Sequence, residues 1–127
     1  MVKMSGGEAI ANTLKAAGVE FIFGMTVGGQ APFTLAAIRS GMRMMTVRDE
    51  KCASLMATAY SKISGKPGVC IASNPGAAHL ALGMHEAYLS GNAIVAITSD
   101  PNPASMWRSG GGYVDHQALF QPLTKWT

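Results

Sequence analysis

The sequence predicts an α/β fold, with an open, mainly parallel sheet and helices on both of its faces in a three-layer α/β/α arrangement. Short unbroken apolar runs, which are typical of strands buried on both sides, alternate along the chain with segments of helical periodicity. Glycine or proline separates most of these segments. Because parallel strands joined by helices are connected by right-handed crossovers, this alternation favours a single sheet with helices above and below it.

The first half of the chain supplies two helices and two strands. Ser5 and Glu8 form a Ser-x-x-Glu capping box, which predicts the start of the first helix. A β-branched and aromatic run over residues 19–23 predicts the first strand. Pro32 suits the first turn of a second helix, and residues 42–47 predict the second strand.

The second half begins with the clearest amphipathic helix, which starts at Asp49 or Glu50. Its apolar residues recur at helical spacing. They are Cys52, Leu55, Met56, Ala59, Tyr60 and Ile63. Strands are predicted over residues 68–72 and 93–98, on either side of a helix over residues 77–90.

The composition indicates a single folded domain that meets another protein. Of the 127 residues, 48% are apolar and only 13% are charged, which argues against disorder and suggests that a partner covers part of the apolar surface. The net charge of +3 comes from scattered basic residues, so no nucleic-acid-binding surface is predicted. The sequence lacks a membrane-spanning run and the apolar core of a signal peptide, which predicts a cytoplasmic protein.

Neither a metal site nor a redox pair is predicted within the chain. Cys52 and Cys70 form no Cys-x-x-Cys pair, and no histidine stands at metal-ligand spacing, so both cysteines are interpreted as small buried hydrophobic residues. Four other polar residues are interpreted as surface or subunit contacts, because no nucleophile is spaced to meet them. They are His85, Glu86, Asp115 and His116.

The predicted ligand site lies at one edge of the sheet, since ligands of open parallel sheets bind beyond the carboxyl ends of the strands. Arg48-Asp49-Glu50 follows the second strand, and Ser73-Asn74-Pro75-Gly76 follows the third. From spacing alone, the acids of the first loop are explained as caps of the following helix. The second loop has the glycine of a phosphate-binding turn, but the sequence contains neither a G-x-G-x-x-G fingerprint nor a Walker motif.

Four segments occur in an order and spacing that are specific, although each alone is weak. They are Gly-Val-Glu-Phe-Ile-Phe-Gly (18–24), Arg-Asp-Glu-Lys-Cys-Ala-Ser-Leu-Met-Ala-Thr-Ala-Tyr (48–60), Ser-Asn-Pro-Gly-Ala-Ala-His (73–79) and Val-Asp-His-Gln-Ala-Leu-Phe-Gln-Pro-Leu-Thr-Lys-Trp (114–126). Together they resemble the N-terminal pyrimidine-binding domain of thiamine diphosphate-dependent enzymes of the acetolactate synthase-like and 2-oxo acid decarboxylase family. The resemblance implies that residues 1–127 form one such domain, cut short at its C-terminal end.

The resemblance implies roles for three residues. The second segment resembles the family's His-Glu-x-x-Ala-x-x-Met-Ala-x-Gly-Tyr helix, which places Glu50 on the catalytic glutamate. The third resembles its Ser-Gly-Pro-Gly-Ala-Thr-Asn turn, which places Pro75 and His79 beside the cofactor. A carboxyl group that faces N1′ of the aminopyrimidine favours the imino tautomer, whose nitrogen takes the proton from thiazolium C2. The resemblance therefore implies that Glu50 activates thiamine diphosphate.

The chain departs from the family pattern at four positions. Asp49 stands in place of the usual His, Asn74 of a Gly, His79 of an Asn, and Gly112 of the Gln that synthase members carry. The resemblance implies a 2-oxo acid substrate. These departures leave open which 2-oxo acid it is. The sequence does not distinguish decarboxylation from carboligation.

The resemblance also implies partners for the chain. Family sites lie between two domains, and the Gly-Asp-Gly motif that holds Mg²⁺ and the diphosphate does not occur in this sequence. Another domain or subunit is therefore expected to supply it, in a homodimer or higher oligomer, and the chain alone is expected to be inactive. A fragment of a longer enzyme is favoured over a natural small subunit. The competing interpretation is a non-catalytic α/β regulatory or scaffold module, in which Glu50 only caps a helix.

Overall fold

The computed structural model describes residues 3–100 and 113–127 and confirms the α/β fold. Helices and strands alternate along these residues. They are α1 (Gly6–Ala16), β1 (Phe21–Gly24), α2 (Ala31–Arg39), β2 (Arg43–Thr46), α3 (Glu50–Ser64), β3 (Gly68–Ser73), α4 (Ala77–Ser90), β4 (Ile94–Ser99) and α5 (His116–Phe120). A 3-10 turn at Gly28–Gln30 precedes α2, and another at Gln121–Leu123 follows α5.

The four strands form one parallel sheet in the order β2-β1-β3-β4. In β1, Ile22 lies opposite Met44 of β2, and Phe23 lies opposite Cys70 of β3. Cys70 in turn lies opposite Ala96 of β4. Because all of the strands run in the same direction, their carboxyl ends meet at one edge of the sheet. We call this edge the carboxyl edge.

Successive side chains of the central strands point to opposite faces of the sheet, which produces the three layers. Ile22 and Val69 belong to a buried cluster with α1 and α2, whereas Phe23 and Cys70 belong to a second cluster with α3, α4 and α5. Burial of the Cys70 side chain disfavours the thiolate and raises the pKa of its thiol to about 12. The predicted arrangement of helices on both faces is confirmed.

Local signals start and stop the helices where the sequence predicts them. The Ser5 side chain accepts a hydrogen bond from the Glu8 N–H at 3.2 Å, and the Glu8 carboxylate accepts one from the Ser5 N–H at 2.7 Å, so the capping box is formed. Gly65, with φ 69°, ends α3 in the left-handed conformation. The fourth helix covers residues 77–90, as predicted.

The face that α3 buries is not the one formed by its larger apolar residues. Its buried residues are small: Ala53, Ser54, Ala57, Thr58 and Ser61. Most of the apolar residues of the predicted repeat are exposed. We call these exposed residues, Cys52, Leu55, Met56, Ala59 and Ile63, the α3 stripe. The prediction that Cys52 is buried is therefore wrong, whereas that for Cys70 is confirmed.

Close packing explains why only small residues fit beneath α3. A Cβ atom built on Gly83 of α4 would lie 2.5 Å from Cβ of Ser54, and one built on Gly68 of β3 would lie 2.7 Å from the carbonyl carbon of Ala57. The backbones of α4 and β3 approach α3 so closely that a larger side chain would force them apart. The α3 stripe is left on the outside.

Candidate functional site

The candidate site forms where α3 and α4 begin, at the carboxyl edge of the sheet. Glu50 is the first residue of α3 and lies beyond the end of β2, and the turn 74–76 links the end of β3 to α4. Because β2 and β3 are both parallel to β1 and end at the same edge, the amino-terminal ends of both helices lie at that edge. The sequence predicts a ligand site at this edge, and the structure brings its predicted residues there.

Asp49, rather than Glu50, is the cap of α3. Its carboxylate accepts a hydrogen bond from the Lys51 N–H at 2.9 Å and pairs with the Lys51 ammonium at 3.1 Å. The backbone hydrogen bond is the larger cause that holds the pKa of Asp49 below its usual value, and the contact with the Lys51 side chain adds to it. Since Asp49 serves the helix end, the Glu50 carboxylate is free to make other contacts.

A close crossing of α3 and α4 sets the position of Glu50 relative to the second helix. The Thr58 hydroxyl donates a hydrogen bond to the Gly83 carbonyl oxygen at 3.1 Å, across the same crossing at which Ser54 contacts Gly83. The same hydroxyl lies 2.9 Å from the Ser54 carbonyl oxygen one turn earlier in α3, so the two carbonyl groups share its single hydrogen. These contacts pack α3 against α4 beyond the first turns of the two helices.

The Glu50 carboxylate lies between His79 and Gly76. Its Oε2 atom is 3.2 Å from Nδ1 of His79, and its side chain is 14% exposed. On the other side, a Cβ atom built on Gly76 would overlap Oε1 and would lie 2.7 Å from Cδ. The Glu50 carboxylate is thus sheltered by its two neighbours but not fully buried.

Asp49, Glu50 and His79 bring three polar groups together. One potential ligand atom from each residue lies within 4.8 Å of the other two. Imidazole and carboxylate groups suit several divalent metals, but exposed acidic groups are common without one, and Asp49 already serves the α3 cap and Lys51. The absence of a metal site in this chain therefore stays a prediction.

Pro75 and Asn74 form the turn that precedes Gly76. Pro75 is exposed at the carboxyl edge and follows Asn74 through a cis peptide bond. The Asn74 side chain bonds the Val114 backbone twice, donating from Nδ2 to the carbonyl oxygen at 3.3 Å and accepting the N–H at 3.1 Å. The residue that departs from the family's glycine thus joins the β3–α4 turn to the segment before α5.

His116 is a buried residue, and its interpretation as a surface residue is wrong. Its side chain is 7% exposed, and Nδ1 lies 3.1 Å from Oδ1 of Asp100, just beyond the end of β4. Nε2 is buried and has no hydrogen-bond partner among the described residues. Asp115 is exposed, in agreement with its interpretation, and caps α5 by accepting the Ala118 N–H at 2.9 Å.

Gln30 is a second polar residue that sequence reasoning missed. It ends the 3-10 turn that follows β1, is 3% exposed, and neither atom of its side-chain amide has a hydrogen-bond partner in the described part of the chain. Buried amides without partners are rare in proteins. Its position in a glycine-containing loop was the one signal available in the sequence. Gly112, which replaces the glutamine of synthase members, lies outside the described residues.

An open parallel sheet with helices on both faces defines the class of this protein, a three-layer α/β/α domain. Comparison with known proteins then identifies the family. Residues 4–119 match the family described as the N-terminal TPP binding domain of thiamine pyrophosphate enzymes. The chain belongs to this family, and the resemblance stated from the four sequence segments is confirmed.

Named relatives include acetolactate synthase large subunits and a probable decarboxylase. The chain is 34% identical to a probable acetolactate synthase large subunit of Methanocaldococcus jannaschii and 38% identical to the acetolactate synthase isozyme 2 large subunit of Escherichia coli, over 96% of its length in both cases. It is 30% identical, over 95% of its length, to a probable 2-ketoarginine decarboxylase of Pseudomonas aeruginosa. These matches cover 21%, 22% and 22% of the relatives, so the chain spans about a fifth of their length.

Among the described residues, no helix is both long and apolar enough to cross a membrane.

Proposed function

We propose that this chain is the pyrimidine-binding half of a thiamine diphosphate-dependent enzyme that acts on 2-oxo acids, and that Glu50 is its cofactor-activating residue. The observation that carries the proposal is the placement of the Glu50 carboxylate. It lies at the carboxyl edge of the sheet and is largely buried. It does not cap α3, because Asp49 does so. A carboxylate so placed can exchange a proton with a ring nitrogen that approaches from the edge.

The residues around Glu50 fit an aminopyrimidine ring. The ring needs a carboxyl group at one nitrogen, and Gly76 has no side chain to displace the Glu50 carboxylate from its place. Pro75 precedes Gly76 at the exposed edge, and His79 lies in the first turn of α4 beside Glu50. When bound, thiamine diphosphate supplies a nucleophilic carbon and accepts the electrons released when a 2-oxo acid loses its carboxylate.

We assign three tasks to the residues of this chain. Glu50 holds and returns a proton at the pyrimidine nitrogen. Pro75 bounds the site with an apolar ring, and His79 bounds it with an imidazole that also contacts Glu50. A proton-transfer group of this kind contributes about 10²- to 10⁴-fold to the rate of the step that it assists.

The diphosphate and its Mg²⁺ are assigned to another domain or subunit. The chain spans about a fifth of its relatives and has no Gly-Asp-Gly metal motif. The α3 stripe runs along the helix that begins at Glu50, so a partner seated on it would lie beside the site. We propose a homodimer or higher oligomer that covers this apolar surface. The cytoplasmic location stays a prediction.

Assembly of the chain with its diphosphate-binding domain provides the test, with decarboxylation of 2-oxo acids as the measurement. Glu50→Gln removes the proton-transfer group while keeping the size of the side chain, and we expect a loss of about 10²- to 10⁴-fold in kcat/KM. Glu86→Gln changes an exposed glutamate of α4 and serves as the matched control, with activity unchanged. Equal activity of both variants would show that Glu50 has no catalytic role and is only part of the helix end, as in a non-catalytic module.

A further inference from the structure

We infer that His79 is a positioning residue, which acts on the reaction by orienting the Glu50 carboxylate. This inference rests on the proposed function of Glu50. Among the described side chains, His79 is the one that forms a hydrogen bond with this carboxylate, with Nδ1 3.2 Å from Oε2. It reaches Glu50 from a separate helix, so its position depends on the α3–α4 crossing and not on the flexibility of a shared loop.

Hydrogen-bond chemistry assigns the direction of this contact. In the state in which Glu50 has given up its proton, its carboxylate only accepts hydrogen bonds, so in that state Nδ1 of His79 carries the hydrogen and donates it to Oε2. In the neutral imidazole, Nε2 is then the acceptor. The His79 side chain is 64% exposed, so Nε2 does not need a buried partner.

The Asp49 carboxylate is a weaker hydrogen-bond partner for the His79 imidazole than the Glu50 carboxylate is. Its nearest oxygen is 4.0 Å from Nδ1 of His79, against 3.2 Å for Glu50, and its carboxylate is already engaged by the backbone and ammonium groups of Lys51. The His79 imidazole therefore forms its hydrogen bond with Glu50. Lys51 in turn keeps the Asp49 carboxylate at the helix end.

Glu50 is consequently held from two sides. His79 binds Oε2, while the missing side chain of Gly76 leaves the space that Oε1 occupies. A carboxyl group that exchanges a proton with a bound ring must stay within about 0.5 Å of its productive position, and such precision comes from neighbouring groups that lock its rotamer. His79 supplies the hydrogen bond and Gly76 supplies the space.

The tautomer of His79 gives a test that does not depend on turnover. In the assembled enzyme labelled with ¹⁵N-histidine, we expect His79 to show a protonated Nδ1, and Glu50→Gln to shift its ring-nitrogen resonances. His85, which is exposed on the same helix, is the internal control and should not respond. The inference would be overturned if the His79 ring is protonated at Nε2 alone, or if its ring-nitrogen resonances do not shift in the Glu50→Gln variant.

A double-mutant cycle on hydrogen–deuterium exchange at C2 of bound thiamine diphosphate tests the coupling directly. We expect His79→Ala to slow exchange by about tenfold to a hundredfold, the loss typical of a reacting group misplaced by about 1 Å. His79→Asn keeps a donor amide near the position of Nδ1, so it should recover most of the rate. In the Glu50→Gln background, His79→Ala should add little, because its target is already lost.

The outcomes separate this inference from the proposed function. If Glu50→Gln leaves the exchange rate unchanged, the proposed function fails. If Glu50→Gln slows exchange but His79→Ala does not, only the positioning role fails. If His79→Ala slows exchange equally with and without Glu50, His79 acts on the cofactor itself, and the positioning role is likewise overturned.

Discussion

The Glu50 carboxylate occupies the space that a side chain at Gly76 would need. A Cβ atom built on Gly76 would lie 2.7 Å from Cδ of Glu50, well inside van der Waals contact. The backbone of Gly76 has φ −57° and ψ −19°, which any residue adopts easily. The glycine is therefore required by its neighbour's carboxylate and not by the conformation of the chain.

Substitution Gly76→Ala should separate folding from function. The flexible Glu50 side chain can move away from the new methyl group, so we expect nearly unchanged thermal stability, but about a hundredfold slower cofactor activation because the carboxylate is displaced. Gly6→Ala is the matched control, since a Cβ atom at Gly6 would meet no described atom within 4 Å. If Gly76→Ala keeps the full exchange rate at thiazolium C2, the position of Glu50 is not critical.

The Asn74 amide should hold the segment before α5 against the β3–α4 turn. Replacing it with Ala removes both hydrogen bonds to the Val114 backbone, and a hydrogen bond contributes about 1 kcal/mol. We expect the Val114 amide to exchange with solvent about tenfold faster, as measured by NMR. Asn92→Ala, just after the end of α4, should leave Val114 unchanged, and an equal effect from both variants would argue against the link.

Much of the fold is predictable because its signals are local. The capping box at Ser5 and Glu8 and the glycines at 65 and 91 act within one helical turn, and the predicted helix over residues 77–90 matches α4. The buried face of α3 was not predictable in this way. Hydrophobic periodicity favours large side chains for the core, whereas the tight crossing with Gly83 admits only small ones.

In the candidate site, too, local features are predictable from the sequence, whereas contacts between distant residues are not. The position of Glu50 at a helix start followed from the sequence, and its likeness to a family glutamate suggested a role. The contact with His79 joins residues 29 positions apart and depends on how closely α3 and α4 cross. The pairing of His116 with Asp100 likewise depends on the return of the chain to the carboxyl edge, which no local pattern encodes.

Asp49 should make the stability of the domain sensitive to acid. Its pKa is lowered in the folded chain, mainly by the Lys51 N–H and then by the Lys51 side chain. A carboxyl group whose pKa is lower in the folded chain stabilises the protein at pH values above its pKa in the unfolded chain, which is about 3.9. This stabilisation is lost as the pH falls through the pKa of the folded chain.

The matched variant for this effect is Asp49→Asn, which keeps a capping side chain but does not titrate. Urea unfolding between about pH 5 and about pH 2 should show a smaller loss of the free energy of unfolding in this variant than in the wild-type chain. Identical pH profiles for the two proteins would mean that the Asp49 carboxylate is not stabilised in the folded state.

Cys52 should report whether a partner covers the α3 stripe. In the unassembled chain, we expect iodoacetamide to modify Cys52, which is exposed, and to spare Cys70, whose buried thiol has a pKa of about 12. Assembly should slow the modification of Cys52 by at least about tenfold, because a thiol must be accessible to react. Cys52→Ser is the control, and equal labelling before and after assembly would place the partner elsewhere.

The exchange of the C2 proton of bound thiamine diphosphate tests the central claim most directly, because it reports cofactor activation without any substrate. In the assembled enzyme, Glu50→Gln should slow this exchange by about 10²- to 10⁴-fold, while Glu86→Gln leaves it at the wild-type rate. A wild-type exchange rate in the Glu50→Gln enzyme, with cofactor still bound, would contradict the assignment of Glu50 as the residue that activates the cofactor.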